Sequence, residues 1–219
     1  MSAAHHNEDS DQPEVAFTAE FWDDRYGSAE RIWSGNPNAQ LVTVATPLTP
    51  GTALDVGCGE GADAVWLAGR GWRVTGVDVS RVALDRAAAH AAEAGVAGAT
   101  AWQQVDIQVW VPPAGEYDLV SAHFMQMPPE VRDGMHAGMA AAVRPGGTLL
   151  VVGHHFSDLD TSVRRPHRHD LMFTAEEVAA VLDPEEWEIE TSTPARTTTD
   201  PDGETVTIHD AVMRAVRRR

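Results

Sequence analysis

The sequence predicts an α/β fold in which a mostly parallel sheet is covered by helices on both faces. Short runs of β-branched residues alternate with Ala-rich stretches of helical length, the pattern of strands joined by crossover helices. In addition, "LDVGCGEGAD" (54–63) places three glycines directly after the first such run, where a strand is expected to turn into a helix. A chain of 219 residues is long enough for one domain of this kind.

The predicted elements begin with two helical stretches. The first is expected to start at Thr18, and the second follows the Gly-Asn-Pro break at 35–37. "RPGG" (144–147) is expected to end a later helix at Arg144 and to turn the chain into the next strand. Parallel strands are predicted near 52–57, 73–78, 100–106, 117–124 and 147–154. Covering helices are predicted near 62–70, 80–94, 129–143 and 174–182.

The two ends of the chain differ from this alternating pattern. "WEIETSTPARTTT" (187–199) and "ETVTIHDAVMRAV" (204–216) are two extended runs joined by "DPDG", which predicts an antiparallel hairpin. Residues 1–16 are acidic and polar, so we expect a disordered tail there. The remainder, 17–219, is predicted to be a single domain whose first part, 17–48, is a helical segment that acts as a lid; we call it the lid segment.

The charge balance limits the classes of partner. Sixteen Lys and Arg against thirty-three Asp and Glu give a net charge of -17, which would repel a phosphate backbone, so no nucleic-acid partner is expected. The single cysteine, Cys58, leaves no internal disulfide to form. The N-terminus lacks the basic flank and apolar core of a signal peptide, and no apolar run is long enough to span a membrane. These features favour a cytoplasmic protein without a membrane partner.

The glycine loop indicates the kind of ligand. Gly57, Gly59 and Gly61 follow the spacing D-x-G-x-G-x-G, whereas a dinucleotide site is expected to show G-x-G-x-x-G. The observed spacing keeps the loop open longer before the helix and suits a zwitterionic amino acid better than a pyrophosphate. Asp55, at the strand tip, is then expected to face an ammonium group. The alternative is a tight turn that binds nothing.

Two more acidic residues follow later strands. In "VTGVDVS", Asp78 lies about 20 residues beyond the loop, where a carboxylate accepts hydrogen bonds from ribose hydroxyls, and Val79 belongs to the same site. In "QQVDIQ", Asp106 is expected to accept from an adenine amino group, with Ile107 against the ring. Asp78 could also cap the next helix, and Asp106 could be an ordinary turn residue. Together the motifs imply a ligand made of an amino acid, a ribose and an adenine.

These motifs, followed by "YDLVSAHF" and "RPGGTLLVV", resemble the class I S-adenosylmethionine-dependent methyltransferases over roughly residues 17 to 216. "FWDDRYGSAERIWSGNPN" (21–38) is similar to the opening of the tellurite-resistance and thiopurine methyltransferase group. The resemblance implies a Rossmann-like, doubly wound sheet of seven strands in the order 3-2-1-4-5-7-6, with strand 7 antiparallel. It also implies S-adenosylmethionine as cofactor and S-adenosylhomocysteine as product.

Two further residues are candidates for this site. Trp33 lies in the loop "WSGNPN" and is expected to close over the cofactor's sulfonium, with plain packing as the alternative. His123 is a candidate general base at the acceptor rim, although a lone His at a strand end is often a hydrogen-bonded structural residue. Adjacent residues of a strand point to opposite faces, so His154 and His155 are not expected to form a metal site.

The function expected from these residues is methyl transfer from S-adenosylmethionine to a small molecule, which attacks the methyl carbon in line with the sulfonium sulfur. The sequence leaves the accepting atom open among S, Se, Te, O and N, and it leaves the oligomeric state open. Two alternatives come from other classes of protein. One is a nicotinamide-dependent oxidoreductase, and the other is a non-catalytic module that binds the cofactor or a protein partner.

Overall fold

The protein forms one twisted sheet with helices packed on it. The computed structural model describes residues 17–163 and 169–219. The predicted acidic tail, 1–16, lies outside the described residues. The strands are β1 (Thr52–Val56), β2 (Arg73–Asp78), β3 (Thr100–Gln104), β4 (Tyr117–His123), β5 (Val143–His154), β6 (Trp187–Ser192), β7 (Ala195–Thr199) and β8 (Thr205–Arg217). The α-helices are α1 (Ala19–Gly27), α2 (Ala39–Ala45), α3 (Ala62–Ala68), α4 (Arg81–Glu93), α5 (Pro129–Ala142) and α6 (Ala175–Ala179).

The strand order confirms the predicted fold class. The sheet runs β3-β2-β1-β4-β5-β8-β6, with β1 to β5 parallel and β8 antiparallel to both β5 and β6. Strand β8 therefore takes the place of the expected antiparallel seventh strand. The described residues contain one strand more than expected, β7, which pairs only with β8.

The extra strand arises because the predicted run 187–199 is interrupted. Pro194 lies between β6 and β7 and has no N–H for a strand ladder, while its carbonyl accepts from Asp210 N at 3.1 Å. The predicted hairpin at "DPDG" is confirmed, because Thr199 pairs with Thr205 across a turn in which Gly203 has a φ of +87°. Residues 187–199 were correctly predicted to be extended, but they form two strands, β6 and β7.

The predicted helix end at "RPGG" was placed two residues too late, but 144–147 leads the chain from the helix into the paired part of the next strand as predicted. Helix α5 ends at Ala142, and β5 begins at the next residue, so 144–147 lies inside β5. These residues form an irregularity in the pairing, which shifts from Tyr117↔Val143 to Leu119↔Thr148. The extra residues of β5 bulge out of the ladder there, as Pro and Gly do within strands.

Both faces of the sheet are covered by apolar side chains. Along β5, Leu149 and Val151 pack into the core on one face, whereas Leu150 and Val152 pack into the core on the other. Helix α2 belongs to the second core, because its Leu41 is fully buried there. Among the described residues, no helix is long and apolar enough to cross a membrane.

Hydrogen-bonded caps fix the two helices of the lid segment. Thr18 accepts from Phe21 N at 3.2 Å, which confirms the predicted start of α1. Asn38 caps α2 by accepting from Gln40 N at 2.8 Å, directly after the predicted Gly-Asn-Pro break. The loop between α1 and α2 contacts the turn that follows β1, because Ile32 N and Trp33 N each donate to Glu60 Oε2 at 3.2 Å.

Candidate functional site

A large cleft opens at the carboxyl ends of the parallel strands, where ligands bind in open α/β sheets. Its volume is about 1820 Å³, well above the roughly 300–1000 Å³ of ordinary ligand pockets. The lid segment, the glycine loop and the ends of β2 to β5 line it, together with side chains of β7. The cleft is therefore large enough for two ligands side by side.

The glycine loop joins β1 to α3 along one wall of this cleft. Gly57, Gly59 and Gly61 have φ values of +68°, +51° and +81°, which side-chain-bearing residues rarely adopt. A Cβ on Gly57 would overlap the side chain of Met125, and one on Gly59 would lie 2.8 Å from the Tyr26 hydroxyl, so both glycines border the cleft. Gly61 differs from these two. Its Cβ would lie 2.8 Å from Ala87 Cβ, so it allows α3 to pack against α4.

Asp78 connects the end of β2 to the glycine loop. Its Oδ2 accepts from Gly59 N and its Oδ1 from Ser80 N, both at 2.9 Å. Burial raises the pKa of Asp78, and the two N–H groups oppose that rise. The cap of α4 is Ser80, which accepts from Ala83 N at 3.1 Å, so Asp78 is not the capping residue. Asp78 and Val79 line the cleft.

Asp106 and Ile107, which follow β3, form another part of the cleft wall. Asp106 and Ile107 both line the cleft, with Asp106 exposed and Ile107 half-buried. Asp106 Oδ1 accepts from Gln108 N at 3.0 Å, and Gln108 Nε2 in turn donates to Phe17 O at 3.1 Å. This wall is thereby joined to the start of the lid segment.

The lid segment is fastened to the glycine loop through Glu60. Its Oε2 accepts from the backbone N–H groups of Ile32 and Trp33, each at 3.2 Å. Its Oε1 pairs with Arg86 at 2.9 Å, and Arg86 also donates to Ala29 O at 2.7 Å. Glu60 is buried, so the charged pair is shielded from water. The Glu60 side chain thus holds the loop before α2 against the glycine loop.

Trp33 is the aromatic side chain of this loop. It is 48% exposed, which argues against a role as a core residue, and it borders the cleft. Its Nε1 donates to the Tyr26 hydroxyl at 3.0 Å, and the Arg25 guanidinium lies 5.8 Å from its ring centroid. These contacts hold the indole beside Gly59.

The far side of the cleft is aromatic and polar. Phe124, at the end of β4, has a φ of +55°, and no other non-glycine among the described residues has a positive φ. Its ring stacks on His154 with centroids 4.5 Å apart, and the Arg196 guanidinium lies 5.7 Å from the Phe124 centroid. Arg196 Nε donates to both carboxylate oxygens of Asp210 at 3.0 Å. A non-glycine residue with a positive φ, such as Phe124, is strained, and strained residues concentrate at binding sites.

Comparison with known proteins identifies the family. The "Methyltransferase domain" family matches residues 53–147. A 2-heptyl-1-hydroxyquinolin-4(1H)-one methyltransferase from Mycobacteroides abscessus is 28% identical over 80% of this chain and 77% of its own length. A thiopurine S-methyltransferase from Pseudomonas entomophila is 32% identical over 69% of this chain and 81% of its own. The chain is a class I S-adenosylmethionine-dependent methyltransferase.

The fold comparison agrees with this assignment. TehB from Haemophilus influenzae superimposes with a TM-score of 0.67 at 19% identity, over 92% of this methyltransferase and 67% of TehB. At that level of identity the likeness shows the shared fold alone. The class I methyltransferase resemblance predicted from the sequence is therefore confirmed, and a thiopurine S-methyltransferase is among the relatives.

The structure of the methyltransferase brings most of the predicted site residues to the cleft. The residues that line it are Trp33, Gly57, Gly59, Asp78, Val79, Asp106, Ile107 and His123. Asp55 and Gly61 are not among its lining residues. Asp55 is 2% exposed and lies behind the cleft wall, and Gly61 packs against α4.

His123 is oriented differently from what a base at the acceptor rim requires. Its Nδ1 lies 2.7 Å from Asp63 Oδ2, so the imidazole points toward the glycine loop, and its side chain is 6% exposed. The contact is an ion-pair distance, but the ring N–H is not aligned with the oxygen as in a regular hydrogen bond. This arrangement fits the structural reading of His123 better than the catalytic one.

Residues of the methyltransferase site that sequence reasoning missed include Glu60, Asp63, Arg86 and Arg196. Glu60 and Asp63 lie within the quoted motif "LDVGCGEGAD", so their acidity next to the glycines was a usable signal. Arg86 gave no signal, because it lies on α4 among many Ala residues and its partner is 26 residues earlier in the chain. Its role depends on how α4 packs beside the loop.

Proposed function

We propose that this methyltransferase transfers the methyl group of S-adenosylmethionine to a small planar acceptor held against Phe124, His154 and Arg196. The observation that supports this most is the division of one large cleft into two parts. One part carries the glycine loop and the acidic strand ends, and the other carries the aromatic and cationic side chains. Two of the related enzymes are named for heteroaromatic substrates, a hydroxyquinolinone and a thiopurine.

In the first part of the cleft, the residues fit S-adenosylmethionine. The left-handed backbone at Gly57 and Gly59 leaves the wall without side chains where the methionine end would approach. Asp78 is proposed to accept from the ribose hydroxyls with the lone pairs that its two backbone partners leave unused. Asp106 and Ile107 are proposed to hold the adenine, and Trp33 to cover the sulfonium end.

When bound, S-adenosylmethionine supplies an electrophilic methyl group. The chain contributes alignment of the acceptor and exclusion of water, which account for much of the catalysis of such transfers. The lid segment, fastened through Glu60, is proposed to close the cleft over both ligands. Membership of the methyltransferase family sets aside the oxidoreductase and the non-catalytic module that were the alternatives from sequence.

Transfer of a labelled methyl group tests this proposal. Hydroxylated heteroaromatics and heteroaromatic thiols are expected to accept the label, whereas an oligonucleotide and an unfolded protein are not. Labelling of the oligonucleotide or the protein in preference to every small molecule would contradict the proposal. The cytoplasmic location, the absence of a nucleic-acid partner and the single-domain organisation of 17–219 stay predictions.

A further inference from the structure

Two carboxylates and an imidazole meet behind the glycine loop. Asp55, Asp63 and His123 each place one side-chain N or O atom within 4.8 Å of the others. Asp55 follows Leu54 on β1, Asp63 lies in the first turn of α3, and His123 ends β4. Three separate elements are therefore needed to form this cluster.

A second negative charge is unfavourable in this buried cluster. Burial raises the pKa of Asp55, and the neighbouring carboxylates of Asp63 and Asp78 raise it further. His123 is the one basic member of the cluster. Within the parts of the chain that the structure describes, Asp55 Oδ2 and His123 Nε2 are buried and have no hydrogen-bond partner. Unsatisfied acceptors of this kind favour a cationic ligand.

Only one of the two carboxylates faces the cleft. Asp63 and His123 line it, whereas Asp55 lies behind them. Asp63 is also held in place, because its Oδ1 accepts from Asn38 N at 2.6 Å and its Oδ2 lies 2.7 Å from His123 Nδ1. A carboxylate has about four acceptor positions, so these contacts leave room for a further donor from the cleft.

The position of Asp63 in the cleft indicates which group it binds. It lies four residues beyond Gly59, on the side of the cleft that the proposed function gives to the methionine end of the cofactor. A primary ammonium is the one cationic hydrogen-bond donor that this end carries. We propose that Asp63 binds the α-ammonium group of S-adenosylmethionine and that His123 positions the Asp63 carboxylate. This inference rests on the proposed function of the cleft.

A divalent cation is the competing occupant, because carboxylates and imidazole also ligate metals. The contacts of Asp63 disfavour it. One oxygen is already taken by a backbone N–H, and the other faces the imidazole, so Asp63 offers a metal little free charge. An ammonium group instead needs only one free lone pair on the Asp63 carboxylate, and these two contacts leave lone pairs free.

Calorimetry with two ligands tests the assignment. 5′-Methylthioadenosine shares the adenine, ribose and thioether of S-adenosylhomocysteine but lacks its amino acid. Asp63→Asn is expected to weaken binding of S-adenosylhomocysteine by roughly tenfold to a hundredfold, the range of charge-assisted hydrogen bonds. Binding of methylthioadenosine should change less than about twofold. An equal loss for both ligands, or no loss for either, would overturn the assignment.

Failure of the proposed function gives a different result, since the unaltered protein would then not bind S-adenosylhomocysteine. A second variant, His123→Gln, tests whether His123 positions the Asp63 carboxylate. The readout is the affinity for S-adenosylhomocysteine divided by the affinity for methylthioadenosine. A general loss of structure would weaken both affinities and leave this ratio unchanged. The ratio is expected to fall less than for Asp63→Asn but in the same direction, and an unchanged ratio would remove His123 from the site. Asp85→Asn, on the exposed surface of α4, is the matched control.

Titrations with MgCl2 and with EDTA test the competing occupant. If the ammonium assignment is right, neither changes the affinity of the unaltered protein for S-adenosylhomocysteine. Tighter binding with Mg²⁺ that EDTA abolishes would assign the cluster to a metal ion and overturn the proposal.

Discussion

Asp78 Oδ2 accepts a 2.9 Å hydrogen bond from the Gly59 N–H, so the end of β2 holds the middle of the glycine loop. The two residues are 19 apart in the chain. One carboxylate therefore shapes the backbone that borders the cleft and also lines the cleft itself, where it is proposed to bind the ribose.

Replacing Asp78 by Ala should weaken binding of S-adenosylhomocysteine by about 1.5 to 3 kcal/mol, because charged hydrogen bonds to two hydroxyls are lost. Calorimetry on Asp78→Ala and on the control Asp85→Ala gives the comparison. Asp85 is 61% exposed in its side chain and contacts only Arg81 by an ion pair, so its removal should leave the affinity unchanged. The ribose assignment fails if both variants bind as the unaltered protein does.

Gly57→Ala should reduce cofactor binding through the side chain that it adds to the cleft wall. Gly95→Ala is a matched control, because Gly95 has a similar φ of +72° but no atom within 4 Å of the position of its missing Cβ. Both variants should lose roughly 1 kcal/mol of unfolding free energy from left-handed strain, and Gly57→Ala should lose more because its new Cβ overlaps the Met125 side chain. Only Gly57→Ala should also weaken binding of S-adenosylhomocysteine, and equal affinities would place the ligand elsewhere.

Glu60→Gln should loosen the lid segment while preserving the size of the side chain. The neutral amide loses the ion pair with Arg86 and accepts more weakly from the N–H groups of Ile32 and Trp33. Hydrogen exchange should become faster in residues 29–38, and S-adenosylhomocysteine should restore part of the protection. Glu188→Gln, exposed on β6, serves as control. Identical exchange in all three proteins would contradict the role of Glu60.

His136 should make the protein less stable as the pH falls below neutrality. Burial on α5, and then the nearby Arg132 charge, lower the pKa of His136 to about 4, although Asp133 opposes the shift. Between the ordinary pKa of 6.5 and about 4, the unfolded chain binds a proton that the folded protein does not, so this stability is present above pH 6.5 and is lost on acidification.

The size of this effect follows from the pKa difference. From pH 8 to pH 5, the unaltered protein should lose about 2 kcal/mol more unfolding free energy than His136→Leu. Urea unfolding at several pH values measures the difference, and a comparison at pH 8 gives the baseline where the imidazole is neutral in both states. Parallel pH profiles for the two proteins would show that His136 does not titrate as described.

The sequence was sufficient for the centre of the parallel part of the sheet, because β1, β2 and β4 are short, largely apolar runs that are each followed by their own turn signal. Asp78 and Asp106 could be placed on one edge for the same reason, since carboxyl ends of parallel strands converge. The antiparallel end was harder to predict. Pro194 divides 187–199 into two strands, and both of them pair with β8, which lies beyond a turn.

The partners of the site residues could not be predicted, because they are set by packing between distant segments. Asp63 and His123 are 60 positions apart, and nothing near either one indicates the other. Likewise, the fastening of the lid segment needs Glu60, Arg86 and the backbone of Ile32 at one place. Asp55 was expected to contact the ligand from its position at a strand tip, but the depth of β1 places it behind Asp63.

The position of Met125 links the two parts of the cleft. Its side chain occupies the open face of Gly57, and its neighbour in the chain is Phe124, which is held with a left-handed φ at the acceptor wall. A methionine end that approaches Gly57 must displace Met125, and the flexible thioether allows that movement. We therefore expect an ordered kinetic mechanism, in which the cofactor enters first and completes the surface that the acceptor then meets. Product release would follow the reverse order, with S-adenosylhomocysteine leaving last.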